Sequence, residues 1–290
     1  MVGIAAWGAY APRLRLSRKA VTAANAWIAP NLRGKGRGER AMANWDEDAL
    51  TMAVEAARDC LGPDDDRSHV SGLYFASTTQ PFLDRLNAGI VAAALTLEKT
   101  IPAADVTGSQ RCGLTALAAA LNSVQAGSRG ACLVAAGEHR RARAASAQEL
   151  DWGDGAAAFL VDDAGAAAEF LGHGAVTDDF VDHFRSADQD FDYAWEERWI
   201  RDEGIVKLVP PAVKQALERA GVAPAEVKAF CFPSTFPGAA ASLAKTLGVP
   251  AEAVRDNLAD RLGEAGSAHG LLMLAHALEE AAPGDVIVAA

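Results

Sequence analysis

The chain has 290 residues, half of them hydrophobic, with a formal net charge of −11 and a sequence pI of about 5.0. That length and apolar share allow one large or two small compact domains, and the acidity argues against nucleic acid or an anionic membrane as the main partner. No apolar run approaches the ~20 residues of a membrane span, and no basic-then-apolar leader opens the chain. Cys60, Cys112, Cys132 and Cys231 lack any CxxC spacing. This is the cysteine usage of a reducing compartment, so a soluble, cytoplasmic protein without a metal site is expected.

A short apolar strand is predicted over 2–6. Asn44 followed by Glu47 has the spacing of a capping box, and apolar residues at helical spacing (Leu50, Val54, Ala57, Leu61) predict a helix over 48–61. A buried strand over 70–77 and a buried helix over 86–97 follow, then a short strand near 101–106. Next comes the stretch on which the chain is organised, a polar turn with Gln110, Arg111, Cys112 and Gly113 that opens into an Ala/Leu helix over 113–124. A helix so uniformly apolar must be buried on nearly every side. A polar turn carried inward with it reads as functional.

Strands over 131–137 and 156–161 flank a tight Gly153-Asp154-Gly155 turn. The strands are continuously apolar, which predicts a parallel or mixed sheet covered on both faces. The second half repeats the order: a strand over 169–176, a helix over 209–220, a strand over 227–232, a helix over 239–247, a short stretch over 253–257, a Gly-rich turn over 263–270, an Ala/Leu helix over 271–281 and a strand over 285–290. The halves 1–165 and 166–290 therefore read as an internal duplication, with one buried helix from each half packed at the centre. Within the second half lies a polar excursion over 177–203, rich in acids and aromatics, that reads as a covering or partner-binding loop. Histidines 69, 139, 173 and 183 show no partner pattern and read as surface residues; His276 reads as structural.

This organisation resembles the thiolase superfamily. Trp152-Gly153-Asp154-Gly155-Ala156 looks like the GDGA turn of its ketoacyl synthase III and hydroxymethylglutaryl-CoA synthase branch. The opening GIAAWGAYAPRLRL and Asp46-Glu47-Asp48 look like the hydroxymethylglutaryl-CoA synthase side, and the stretch 261–268 resembles the family's C-terminal Gly-Asn turn. The resemblance implies a five-layered α/β/α/β/α fold, a homodimer through the strand near 101–106, a coenzyme A thioester as substrate with no covalently bound cofactor, and a companion protein carrying an OB-fold and zinc ribbon. The chain stops at Ala290, before the strand with which the family closes its second sheet.

The resemblance also implies a Cys nucleophile at the head of the first buried helix, served by a Glu, a His and an Asn. Carried across in register, those four positions fall on Gln110, Thr78, Pro233 and Glu264. The candidate catalytic set is therefore Cys112, two residues on, as an acylated nucleophile or a packed core residue; Gln110 as an oxyanion donor or a turn bond; and Glu264 with His269 as an acid–base pair, or as a helix cap and a core histidine. Arg33, Lys35 and Arg37 are candidates to clasp coenzyme A phosphates, although a charge run is also what a solvated loop looks like. The expected activity is formation or cleavage of a carbon–carbon bond beside a thioester, by condensation or by an aldol or retro-aldol step. The alternative is a catalytically degenerate subunit that scaffolds a complex.

Overall fold

The computed structural model describes residues 1–127 and 130–290. Its first half builds a six-stranded mixed sheet. In chain order the elements are β1 (Gly3–Tyr10), the hairpin strand β2 (Leu14–Ser17), α1 (Arg18–Asn25), β3 (Glu39–Met42), α2 (Ala49–Leu61), β4 (Val70–Ala76), α3 (Asn87–Ala94), β5 (Ala103–Val106), α4 (Cys112–Gln125), β6 (Ala131–Glu138), α5 (Ala147–Asp151) and β7 (Gly155–Asp162). A two-residue strand, β8 (Ala168–Glu169), closes the sheet, whose order is β5-β4-β6-β7-β1-β8. β4 runs parallel to β5 and β6, whereas β7 is antiparallel to β6 and β1.

The strands read as continuously apolar because both faces are covered. Along β6, Cys132, Val134 and Ala136 point to the layer holding α4, while Ala131, Leu133 and Ala135 point to the layer holding α2 and α3. A period of two thus feeds two cores at once.

The excursion carries a two-strand ribbon, β9 (His183–Phe184) with β10 (Tyr193–Ala194), and a helical turn, α6 (Glu197–Trp199). The rest of the second half comprises α7 (Val206–Ala220), β11 (Val227–Cys231), α8 (Ala239–Leu247), α9 (Gly266–Glu280) and β12 (Val286–Ala289). β11 pairs in parallel with β12 and bridges Val254, the same pattern as β4 with β6 and β5. α7 and α8 cover the far side of this small sheet, and α9 packs on its near side and on α4. The layers are therefore α2/α3, first sheet, α4/α9, second sheet, α7/α8.

Several expectations change. The capping box belongs to Asp48 and Thr51 rather than Asn44 and Glu47, which instead close a tight turn. Beyond Ala168 and Glu169, the strand expected over 169–176 does not form. Its residues instead lie on α7, where a side chain at Gly174 would strike the Ala212 carbonyl. Gly8 of β1 meets α2 in the same way, through the Ala56 carbonyl, so 170–176 occupies the second half's counterpart of β1. Among the described residues no strand lies between it and β12, and without a ladder partner it cannot be a strand. The second buried helix begins at Gly266, not 271, so most of the expected Gly-rich turn is its first turn.

Candidate active site

The heads of α4 and α9 meet at the centre. A Cβ at Gly113 would lie 2.2 Å from the Ser267 carbonyl, so only glycine lets the two backbones approach this closely. Directly beside this crossing β6 ends at Glu138, whose carboxylate is fully buried. Glu138 accepts from the Ser267 amide at 3.1 Å, the Thr78 amide at 3.3 Å, the Thr78 hydroxyl at 3.0 Å and the Ser77 hydroxyl at 3.4 Å, and also from Thr79. One carboxylate thus ties the β4 exit, the β6 exit and the head of α9. Gly266 makes room for it: with φ at +50°, a side chain there would also press on Glu138 Cγ.

Cys112 is the first residue of α4 and is buried. The helix N-terminus should favour its thiolate, but burial and the nearby Glu138 charge push the thiol up to about 12, against the pull of Ser267. The proton stays on sulfur at neutral pH, which weighs against the nucleophile reading. The Ser267 hydroxyl, buried beside this thiol, has no geometric hydrogen-bond partner of its own.

Glu264 and His269 do not form an acid–base pair. Glu264 is ion-paired with Arg140, whose buried guanidinium also lies 4.0 Å over the Trp152 ring. His269 accepts from the Ala265 amide at 3.0 Å and donates from Nε2 to the Asn257 carbonyl at 2.8 Å, so both nitrogens are spent on backbone. Burial lowers its pKa from 6.5 to about 4. The imidazole is neutral in the folded protein, whereas the unfolded chain takes up a proton below about 6.5. Its contribution is therefore whole above that pH and is lost as pH falls toward 4. His269→Gln is expected to remove about 2 kcal/mol of the acid sensitivity of unfolding between pH 7 and pH 5, measured as the difference in urea-unfolding free energy at the two pH values. Equal pH dependence in both proteins would show that His269 does not titrate this way.

The GDGA turn is structural. A Cβ at Gly153 would fall 1.8 Å from the Leu262 carbonyl, and Gly153 N–H donates to the Glu264 carbonyl at 3.0 Å. Asp154 accepts from the Ala43 amide at 2.8 Å and lies 3.2 Å from His139 Nδ1. His139 is therefore not a free surface residue, and the adjacent Asp154 carboxylate raises its pKa, against burial.

The basic loop is largely occupied. Lys35 is 2.6 Å from Asp151 and Arg37 is 3.0 Å from Asp260; Arg33 sits in the last turn of a short 3₁₀ segment beside them. A better-placed basic surface lines a cavity of about 540 Å³ bounded by Arg141, Arg143, Trp152, Arg185, Phe191 and Tyr193. Arg185 joins this cavity to the centre by donating to the Thr78 carbonyl at 2.6 Å.

Gln110 bonds neither Glu264 nor His269. Its Nε2 lies 3.0 Å from His183 Nε2, and His183 Nδ1 lies 2.8 Å from Asp182 Oδ1. Glu138 and His183 were both missed in sequence. The first precedes a run of arginines over 140–143 with no motif around it, the second lies in an excursion with no periodicity.

Two sheets sandwiching a pair of central helices, with both helix heads and the ends of β4 and β6 converging on one polar site, define the thiolase fold. Solved structures agree in architecture: an OleA variant of Xanthomonas campestris superimposes with a TM-score of 0.84 at 20% identity over 99% of this chain and 91% of that one. The 3-oxoacyl-(acyl carrier protein) synthase III, FabH, of Pseudomonas aeruginosa gives 0.83 at 22% identity over 96% and 90%. In sequence the chain is 28% identical to the hydroxymethylglutaryl-CoA synthase of Aeropyrum pernix over 99% of its own length and 80% of that protein, and 28% identical to that of Caldivirga maquilingensis over 99% and 83%. No family model matches the chain. The chain has the thiolase fold, and over nearly its whole length its sequence is similar to hydroxymethylglutaryl-CoA synthases.

Proposed function

We propose that this protein processes an acyl-CoA thioester, making or breaking a carbon–carbon bond beside the thioester carbonyl without an acyl-cysteine intermediate. The observation that carries the reading is the Glu138 tie, in which a fully buried carboxylate holds the head of α9 to Thr78 beside the head of α4. Burying a charge there is unfavourable unless it is hydrogen-bonded, and the donors that meet it come from the β4 exit and the head of α9. The similarity to hydroxymethylglutaryl-CoA synthases over nearly all of this chain supports the substrate class. The cavity beside Arg141 and Arg143 is the proposed seat of the coenzyme A phosphates, in place of Arg33, Lys35 and Arg37. The exposed edge of β5 is the proposed homodimer seam, and an OB-fold and zinc-ribbon companion remains part of this reading.

Acetyl-CoA is expected to bind, by calorimetry, more tightly than about 1 mM. Arg141→Ala with Arg143→Ala should weaken it about tenfold, or about 1.4 kcal/mol. Cys112→Ala should bind as well as the wild type, and intact-mass spectra should show no acetyl adduct. An adduct on Cys112 would overturn the non-covalent mechanism. The second reading, a non-catalytic scaffold, is favoured by the protonated Cys112 thiol and the locked His269; it requires that acetyl-CoA not bind.

A further inference from the structure

We propose that His183, held by Asp182 and seated on Gln110, is the base that removes the α-proton of the bound acyl-CoA; this rests on the acyl-CoA reading above. His183 comes from the excursion, as the first residue of β9, rather than from a strand of the six-stranded sheet. Its Nδ1 faces Asp182 at 2.8 Å, and the Asp182 carboxylate also accepts the His183 amide at 2.7 Å. These partners assign the proton to Nδ1 and leave the Nε2 lone pair toward Gln110, 3.0 Å away. Gln110 opens the turn into α4, two residues before Cys112, so this lone pair sits at the mouth of the central site.

The excursion is fixed there from both sides. Arg111 donates to the Val176 carbonyl at 3.0 Å, and Arg185 donates to the Thr78 carbonyl at 2.6 Å while pairing with Asp192 at 2.7 Å. The His183 side chain keeps 26% of its surface open, unlike Glu138 and His269, whose lone pairs are taken up inside the protein. It is the one among these three with a lone pair that a substrate can displace Gln110 to reach. In the step, the Cα–H bond breaks, the proton passes to Nε2, and the electron pair is delocalised into the thioester carbonyl as an enolate. Asp182 is a positioning residue that holds the tautomer and balances the imidazolium.

The test is hydrogen–deuterium exchange at the acetyl group of acetyl-CoA in D₂O, followed by proton NMR, with calorimetric binding of the same compound in parallel. Wild type should bind and exchange. His183→Asn and His183→Gln should bind with unchanged Kd and lose at least about 100-fold in exchange. Asp182→Asn should lose exchange rate at unchanged Kd, a split that a purely structural role would not give. Binding without wild-type exchange, or exchange that persists in both His183 variants, overturns the proposal while leaving the acyl-CoA reading standing. Neither binding nor exchange in the wild type overturns both.

Discussion

Glu138→Ala is expected to destabilise the protein by about 3–5 kcal/mol, the range for removing one partner from a buried charged network. The deletion strands the Ser267 and Thr78 amides and the Ser77, Thr78 and Thr79 hydroxyls, all of which point at this carboxylate. It also removes a negative charge that offsets the buried Arg140 guanidinium, whose pKa is drawn down to about 10 chiefly by burial. Glu138→Gln keeps one oxygen acceptor and nearly the same volume, so its loss should be about 2 kcal/mol. Urea unfolding of the three proteins, with unchanged m-values, measures both steps. An alanine variant within about 1 kcal/mol of wild type would mean that the carboxylate does not hold the head of α9 to the β4 exit.

Gly113→Ala is the second large effect. Alanine is the better helix former, and on an isolated helix the change would be favourable. Here the added carbon would lie 2.2 Å from the Ser267 carbonyl and 3.3 Å from a Leu271 methyl group. Both belong to α9, one a backbone atom, so the helices must separate. Overpacking of this kind costs about 3 kcal/mol. Because Cys112 and Ser267 flank this contact, acetyl-CoA binding should weaken along with stability. A variant that is as stable as wild type and binds equally well would show that the helix crossing has slack. Gly127, which also lies near α4 and has nothing within 4 Å of an added carbon, serves as a control for the helix, its φ of +66° giving only a local turn penalty.

Much of the fold was legible in the chain because apolar runs of strand length alternate with helical ones. The Ala/Leu composition of α4 and α9 could be satisfied only by burial. The GDGA turn was legible for a similar reason: Gly153 meets backbone, and no other residue fits. The strand over 169–176 was misread because its composition is that of a strand, whereas a strand exists only with a ladder partner, which the sequence pattern cannot display. The hairpin of β2 and β3 was missed because its strands are short and half exposed.

The site was legible in position and not in content. Gln110 and Cys112 stand where the sequence put the centre, and their polar character in a buried setting is a local property. Their chemistry depends on neighbours far away along the chain. Glu138 raises the Cys112 pKa, and His183 occupies Gln110 across 73 positions. Glu264 and His269, five residues apart, looked like a pair, but the turn between them sends one to Arg140 and the other to backbone.

The sequence by itself determined the alternation of strands and helices and the two helices that must be buried, since these follow from periodicity and residue size; the five-layer order was what the family resemblance implied. Tertiary structure alone decided which polar groups share the space between the helix heads. Desolvation and hydrogen bonding act through distance, and a residue's distance to its partners is set by the whole packed chain rather than by its neighbours in sequence.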